Sequence, residues 1–354
     1  MPVRNGWNKY TWGEHKPDKA DCGFWPPLIR QEQNAGGLLM QPRDRVDVRQ
    51  FKKVFILYNR YSGKQFFASM MSRINEVYKL LKQELDAEIT LLDVKLFEQM
   101  PELAKRAAEE KGDWVIIAGG DGTIRAFVED MLQLNYRPYI SVFPAGTVNL
   151  IAKEMSLRNE PGRWVHRAFK GYVYPFYTAR ANGSLFLTVA GVGFDSLVVD
   201  GVGALQKRLL NKFAYVLQST QLVRRELVFS NWRYAFRVRF DGEEEWHTGS
   251  SVIVGKSRYY AGRYNLFRDA SLSSPYLHTA LFPGNKRADI LKYASLIALE
   301  GLDLDKDILC RRAKRIEIES VNLVEDFPVE LDGDVVASTP LTLEIMDEPL
   351  LFIS

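Results

Sequence analysis

The sequence predicts an α/β domain with a parallel sheet, followed by an antiparallel β-sandwich domain with a few helices. Two patterns predict this fold class. Strand-like and helical runs alternate through the first part of the chain, which is typical of a parallel sheet with helices on both faces. Short strand-like runs separated by turn residues fill the remainder, which is typical of a sandwich or barrel. With 354 residues, the chain is also long enough for two hydrophobic cores.

The first domain is predicted element by element from residue 53. "VFILY" is an apolar run of strand-forming residues, and Met70, Ile74, Val77 and Leu81 have a helical spacing that predicts a helix over about 65–85. The elements that follow are a strand "EITLLDV", a helix "MPELAKRAAEEKG", a strand "DWVIIAGG", a helix "TIRAFVEDMLQL", a strand "YISVFP" and a turn into a helix "AGTVNLIAKEM".

The second domain is predicted from seven strand-like runs with turn residues between them. These runs are "SLFLTVAGVGF", "YAFRVRFDG", "TGSSVIVG", "LHTALFPG", "AKRIEIES", "FPVELDG" and "LTLEIM", with helical patterns at about 203–225 and 287–300. We therefore predict an N-terminal extension over residues 1–50, an α/β domain over 51–170 and a sandwich domain over 171–354. The last strand or two of the chain are expected to return to the first domain.

Composition excludes several classes of protein. The net charge of +3 gives no strong attraction to nucleic acid, and Cys22 and Cys310 form no Cys-x-x-Cys pair. No run of about 18 apolar residues predicts a spanning helix, and the polar N-terminus has no signal-peptide pattern. We expect a cytoplasmic protein that contacts a membrane peripherally, at its inner surface, and leave open whether it forms a homodimer.

The stretch "AGGDGT", residues 118–123, is the first functional signal. Glycines after a strand let a ligand approach the backbone closely, and N–H groups at the start of the next helix form an anion site. Thr123 adds a hydroxyl, whereas the carboxylate of Asp121 repels phosphate unless a cation lies between them. The turn therefore indicates a nucleotide phosphate with Mg²⁺. The alternative is a tight strand-to-helix turn in which Asp121 caps its own helix.

Two further turns support the phosphate interpretation. "FPAGTVNLIAKE", residues 143–154, repeats the order strand, glycine–threonine turn and helix, and "NRYSGK", residues 59–64, follows the first strand. Since neighbouring parallel strands end at one crevice, where ligands of such folds bind, the three turns are expected to share a site. The P-loop, Rossmann and protein-kinase signatures are absent from the sequence.

With these motifs in order, the chain from about residue 52 onward resembles the lipid kinases of the diacylglycerol kinase catalytic family, which are related to sphingosine kinases and more distantly to NAD kinases. The resemblance also rests on "VAGVGFDSLV", "YYAGRYNLFRDA" and "LDGDVV". It implies transfer of the γ-phosphate of ATP, with Mg²⁺, to the hydroxyl of a diacylglycerol-like or other long-chain lipid alcohol at a membrane surface.

The resemblance also implies roles for individual residues. Asp332 and Asp334 lie in the turn where the family places a proton acceptor, and Asp195 lies where relatives place an acidic residue near the acceptor lipid. Asp121 would help to hold the metal or the nucleophile. The implied ATP site consists of Asn59, Ser62, Gly63, Gly119, Gly120, Gly122, Thr123, Gly146, Thr147 and Asn149. The simpler alternatives are a hairpin turn at "LDGD" and a strand-end cap at Asp195.

The chain departs from the family pattern at several positions. Leu150 stands where aspartate is common, Asp334 replaces a glutamate, and "RDASLSSPYLHTALF" lacks an Asp-Gly pair that relatives carry within a secondary Mg²⁺ site. Two other hypotheses therefore stay open: a weakened member that binds nucleotide or lipid as a regulator, and a kinase of a soluble hydroxyl compound, as in NAD kinases. The basic stretch "QKRLLNKFAYVLQSTQLVRR" predicts either a helix on an anionic membrane or a helix covering the sandwich.

Overall fold

A computed structural model of the chain describes residues 42–59, 67–193, 235–262, 264–284, 287–321 and 327–354. Strands and helices alternate in its first part. These elements are β1 (Asp44–Arg45), β2 (Lys53–Asn59), α1 (Phe67–Glu84), β3 (Glu88–Val94), α2 (Met100–Glu109), β4 (Trp114–Gly119), α3 (Asp121–Gln133), β5 (Tyr139–Pro144), α4 (Leu150–Glu154), α5 (Pro161–Ala168) and β6 (Tyr172–Phe176).

The second part consists mainly of short strands. They are β7 (Ala179–Ala181), β8 (Ser184–Phe186), β9 (Val189–Val192), β10 (Phe236–Phe240), β11 (His247–Gly249), β12 (Ser251–Gly255), β13 (Tyr259–Tyr260), β14 (Tyr264–Asn265), β15 (Leu277–Phe282), α6 (Arg287–Ala298), β16 (Leu309–Ala313), β17 (Arg315–Ser320), β18 (Pro328–Leu331), β19 (Asp334–Ser338), β20 (Leu341–Ile345) and β21 (Leu350–Ile353). Short 3-10 helices lie at Val48–Gln50, Phe97–Gln99 and Leu302–Leu304.

The first sheet contains seven strands in the order β1-β6-β21-β5-β4-β2-β3. Strands β2 to β5 pair in parallel, as their alternation with helices predicts. Strand β4 is buried along its whole length because both faces of the sheet are covered: Val115 and Ile117 enter one core, Trp114 and Ile116 the other. Strand β21 runs parallel to β5 and antiparallel to β6, so the last strand lies inside this sheet.

Two six-stranded antiparallel sheets form the second part, in the orders β11-β10-β17-β20-β7-β8 and β16-β15-β12-β9-β18-β19. Their inner faces share one core. In β10, for example, Phe236, Val238 and Phe240 are buried in that core, while Arg237 and Arg239 alternate with them and pair with glutamates of β17. This period of two is the pattern that indicated a sandwich, and the predicted fold class is confirmed.

Two predicted strands are wrong as single elements, because each is divided between the two sheets. "SLFLTVAGVGF" forms β8 and β9, and "TGSSVIVG" contains the end of β11 and the whole of β12. The first break lies at Leu187 and Thr188, whose amides donate to the carboxylate of Asp332. The second lies at Ser250, whose amide and hydroxyl both donate to the carbonyl of Phe282. These breaks depend on partners distant in sequence, so local periodicity does not reveal them.

The first sheet extends past residue 170, the predicted end of the α/β domain. Strand β6, which follows residue 170, pairs with β21, and β1 pairs with β6. The helix predicted at 287–300 is present as α6. The helical pattern at 203–225 and the first 41 residues lie outside the described residues. Within the described part of the chain, no helix combines the length and the apolar character needed to cross a membrane.

Candidate active site

Two glycine turns meet at the carboxyl ends of β4 and β5. The strands pair in parallel up to Gly119 and Pro144, and the amide of Ala145 donates to the carbonyl of Gly119 at 3.2 Å. Beyond them, the turns touch: a Cβ added to Gly146 would lie 2.5 Å from the Cα of Gly120. Contact this close excludes any side chain at Gly146. Gly146, which is predicted to bind nucleotide, is therefore also required for the two turns to pack together.

Asp121 connects the two turns. Its Oδ2 accepts a hydrogen bond from the amide of Leu150 at 2.9 Å, and its Oδ1 accepts one from the amide of Ile151 at 3.1 Å. These amides begin α4, where backbone donors lack helical partners. The N-cap of α3 itself is Gly120, with no side-chain hydrogen bond, so the alternative that Asp121 caps its own helix is wrong. The carboxylate caps the neighbouring helix instead.

Asn59 and Thr123 connect the first strand to the same turn. The side-chain amide of Asn59 donates to the hydroxyl of Thr123 at 3.1 Å, and both residues are buried. Gly119 packs directly against Thr123, because a Cβ added to Gly119 would lie 2.6 Å from the Cβ of Thr123. The hydroxyl predicted to face phosphate thus helps to hold β2 against α3. Thr147, in the second turn, is the exposed threonine of the two.

Asn149 shapes the second turn. Its side chain accepts from the amide of Gly146 at 2.9 Å and donates to the carbonyl of Gly146 at 2.8 Å. Its backbone has φ +52°, a left-handed conformation that asparagine tolerates better than most residues. The turn is therefore held in one shape before α4 begins.

The "LDGD" stretch is a hairpin turn between β18 and β19. Asp332 and Gly333 have φ values of +51° and +95°, as a two-residue hairpin loop requires. The carboxylate of Asp332 accepts hydrogen bonds from the amides of Leu187, Thr188 and Val189 at 2.7, 2.7 and 3.1 Å, and from the Thr188 hydroxyl at 2.6 Å. Asp332 therefore anchors the hairpin to the crossing between β8 and β9.

Asp334 brings this hairpin to the glycine turns. Its Oδ2 accepts a hydrogen bond at 2.6 Å from Nη2 of Arg125, which lies in α3 shortly after "GGDGT". The Arg125 side chain is 19% exposed, and that of Asp334 is 52% exposed. Although the two residues are 209 positions apart in sequence, the predicted proton acceptor and the predicted phosphate-binding helix are in direct contact.

The start of α3 is open to solvent at Gly122. Gly122 is exposed, and a Cβ placed on it would meet no atom within 4 Å. Helix N-termini attract anions through unpaired amides and the helix dipole. An exposed helix N-terminus of this kind is suited to an anion. The described residues contain no group of three or more His, Cys, Asp or Glu side chains that could hold a metal ion.

A buried cluster of ionisable side chains, which no sequence pattern indicated, lies between α4 and the sandwich. Glu154, at the end of α4, accepts hydrogen bonds from the Ser257 hydroxyl and from the amides of Arg258 and Leu272. Burial raises the pKa of Glu154. Lys256 is fully buried nearby, and burial lowers its pKa to about 7.

The Lys256 Nζ donates to three backbone carbonyls, those of Ser271 at 2.8 Å, Leu272 at 3.2 Å and Ser274. Three acceptors match the three donors of an ammonium group. These carbonyls belong to "RDASLSS", the segment that lacks the Asp-Gly pair of the relatives' secondary Mg²⁺ site.

Three predicted site residues, Ser62, Gly63 and Asp195, lie outside the described residues. The others gather at the two glycine turns and the adjoining hairpin. Arg125 was missed by the sequence analysis, although it follows Asp121 by four residues and helical spacing places the two on one face of α3. Glu154 and Lys256 had no comparable signal, since their partners are distant in sequence.

Comparison with known proteins shows two matching family models. Residues 53–181 match the diacylglycerol kinase catalytic domain, and residues 188–353 match the YegS C-terminal NAD kinase beta sandwich-like domain. A diacylglycerol kinase of Bacillus subtilis (strain 168) is 25% identical over 285 residues, covering 80% of this chain and 90% of the relative. A diacylglycerol kinase of Staphylococcus aureus (strain JH9) is 23% identical over 289 residues, covering 82% and 88%.

Solved structures show the same fold. The crystal structure of a diacylglycerol kinase from Bacillus anthracis str. Sterne superposes with a TM-score of 0.67 at 22% sequence identity, covering 86% of this chain and 97% of that one. At this sequence identity the likeness shows a shared fold, and a fold does not by itself determine function.

Proposed function

Because the chain belongs to the diacylglycerol kinase family, with a catalytic domain followed by a YegS C-terminal NAD kinase beta sandwich-like domain, we propose that it is an ATP-dependent lipid kinase. It transfers the γ-phosphate to the hydroxyl of a diacylglycerol-like or other long-chain lipid alcohol. Kinases of this family use ATP. A lipid acceptor implies that the protein works at a membrane surface.

The contact between Arg125 and Asp334 carries the proposal. Phosphoryl transfer requires that the phosphates and a proton acceptor lie in one crevice, because catalysis rests on positioning and charge stabilisation. The 2.6 Å hydrogen bond joins a carboxylate of the sandwich to the helix that begins at the glycine turn. This contact supports one site built from both domains.

The three acidic residues divide into two roles. Asp121 and Asp332 both accept hydrogen bonds from backbone amides, so we assign them to holding α4 and the hairpin in place. Asp334 is the exposed residue of the three. It accepts the proton of the lipid hydroxyl as that oxygen attacks the γ-phosphate.

The phosphates lie over Gly122 at the start of α3, where a side chain would have open space, with the exposed Thr147 beside them in the second turn. Mg²⁺ bound to the triphosphate would neutralise part of its charge. The described residues contain no cluster of three or more His, Cys, Asp or Glu side chains that could hold an ion, and we assign no protein ligand to it.

The test is an assay with radiolabelled ATP and a panel of lipid alcohols, with wild type and Asp334→Asn compared. Label in a chloroform-extractable product of the wild type supports the proposal. Loss of the proton acceptor in Asp334→Asn should lower kcat by about 100-fold or more. Label in a water-soluble product would support a soluble acceptor instead. An Asp334→Asn variant with wild-type kcat would remove that residue from its role.

A second function is favoured by the same ion pair. Arg125 neutralises the carboxylate of Asp334, as expected if the protein binds nucleotide as a regulator without turnover. In that case ATP binds in a calorimetric titration, but no acceptor of the panel becomes labelled. The labelled-ATP assay therefore separates the two functions.

A further inference from the structure

We propose that Arg125 is a catalytic residue with two successive partners: Asp334 before ATP binds, and the γ-phosphate afterwards. The exchange releases Asp334 as the proton acceptor at the moment when the phosphate is in place. The inference rests on the proposed function, because it concerns the same site. It also explains why the proposed acceptor is held by a positive charge in the nucleotide-free chain.

The position of Arg125 carries the inference. The residue follows Asp121 by four positions on α3, so it lies one helical turn above the phosphate-binding end. The Arg125 side chain is 19% exposed, so surrounding atoms restrict its conformation. The side chain of its partner, Asp334, is 52% exposed and faces solvent. Because side chains on a helix lean toward its N-terminus, the Arg125 side chain extends toward the end of α3 that begins at the glycine turn.

Charge favours the exchange of partners. An ion pair with an exposed carboxylate is weak, because water solvates both charges well. A terminal phosphate carries more negative charge than a carboxylate and offers oxygens for bidentate hydrogen bonding to arginine. Arrival of the triphosphate therefore draws the guanidinium away from Asp334.

The reaction balances with these groups alone. The lipid hydroxyl oxygen forms a bond to the γ-phosphorus, and the bond from that phosphorus to the oxygen bridging the β- and γ-phosphates breaks. The hydroxyl proton passes to Asp334, and ADP leaves with the bonding electron pair. Arg125 keeps its proton throughout and stabilises the negative charge on the transferring group.

A second ion pair provides a matched control. Glu129 lies farther along α3 and accepts a hydrogen bond from Arg180 of β7 at 2.8 Å, with side chains 25% and 26% exposed. This pair also connects α3 to the sandwich, away from the glycine turns. Glu129→Gln weakens an ion pair of the same kind without touching the proposed site.

The first test measures binding of ATP and ADP to the full chain by titration calorimetry. If Arg125 contacts the γ-phosphate, Arg125→Ala should reduce the preference for ATP over ADP by about tenfold, the scale of one charge-assisted contact, and Glu129→Gln should keep it. The double variant Arg125→Ala, Asp334→Asn removes both charges. A reduced preference in the double variant supports direct contact, whereas recovery would show that an unpaired Asp334 merely repels phosphate and would overturn the inference.

The second test measures turnover of the lipid acceptor identified by the labelling assay. Arg125→Ala should lower kcat by about 100-fold, as expected for losing one charge that acts on the transition state. Arg125→Lys should retain part of the rate, and millimolar guanidinium should restore part of it to Arg125→Ala. An unchanged kcat, or a loss that neither lysine nor guanidinium recovers, would overturn a catalytic role.

The two proposals fail separately. A wild type that labels no acceptor refutes the proposed function, yet the ATP and ADP affinities still decide whether Arg125 contacts the γ-phosphate. A wild type that labels lipid, together with an Arg125→Ala variant of equal kcat and equal preference for ATP, supports the proposed function and refutes the inference.

Discussion

Replacing Asp121 by asparagine tests how the two glycine turns are joined. The carboxylate supplies one oxygen to the amide of Leu150 and the other to the amide of Ile151. Asparagine has a single acceptor oxygen, and its NH₂ group would face a backbone N–H. One of the two hydrogen bonds must therefore be lost, and α4 begins with an unpaired donor.

The size of the effect follows from that loss. A hydrogen bond to a charged group contributes about 1.5–3 kcal/mol, and the site is partly exposed, so we expect the free energy of unfolding to fall by about 2 kcal/mol. Loosening of α4 also moves the turn that contains Gly146, which packs on Gly120. The affinity for ATP should therefore fall together with stability.

Urea unfolding, followed by circular dichroism, measures the first quantity, and calorimetric titration with ATP measures the second. Asp113 provides the control because it lies at the opposite end of β4, where its Oδ2 accepts hydrogen bonds from the amides of Lys52 and Lys53, both at 2.8 Å. Asp113→Ala should lower stability by about 1–3 kcal/mol through the two orphaned donors and leave the ATP affinity unchanged.

Two results would refute this reasoning. An Asp121→Asn variant with wild-type stability would show that the carboxylate does not cap α4 to any useful extent. A variant with wild-type stability and ATP affinity but no phosphoryl transfer would assign Asp121 directly to the chemistry, as a holder of metal or nucleophile.

Three further predictions concern packing and buried charge. Gly146→Ala places a Cβ 2.5 Å from the Cα of Gly120, and should lower the thermal unfolding temperature and weaken ATP binding, because overpacking costs about 1–3 kcal/mol; equal stability would contradict the close contact. Glu154→Gln should cost about 1–3 kcal/mol in urea unfolding, since one of the two oxygens that accept hydrogen bonds from Ser257, Arg258 and Leu272 becomes an NH₂ group facing a donor; unchanged stability would contradict these buried hydrogen bonds. The pKa of Lys256 is about 7 in the folded chain and ordinarily 10.5. Between these pH values the folded state binds fewer protons than the unfolded state, so this residue makes the free energy of unfolding rise with pH. Lys256→Met should remove that rise, and an equal pH dependence of stability in both proteins would contradict the shift.

The elements around the candidate site were more predictable from the sequence than the contacts within it. Periodicity and turn chemistry are local, so the strands, the glycine turns and the hairpin at Asp332 were predictable. The bond from Asp121 to the start of α4 depends on two turns meeting in space. The sequence related this carboxylate to a cation, and the structure adds a contact that no local pattern revealed, the cap of the neighbouring helix.

The residues that the sequence missed share one property, namely partners that are distant along the chain. Arg125 bonds to Asp334 across 209 positions, and Glu154 bonds to the amide of Leu272 across 118. A lysine after a strand, such as Lys256, usually projects into water, and only the folded chain surrounds it with carbonyl oxygens. Burial of such groups is a tertiary property that no local pattern encodes.

The place of β21 has a consequence for biosynthesis. A ribosome releases β2 to β6 long before Leu350–Ile353, yet β21 lies between β5 and β6 in the finished sheet. Until it is inserted, β5 has an open edge and Phe176 lacks the ring of Phe352, on which it stacks at 4.4 Å. The sheet of the nascent amino-terminal half therefore remains incomplete until β21 is translated. Since β5 leads into one of the two glycine turns, that turn should reach its final geometry late in synthesis, after β21 has been made.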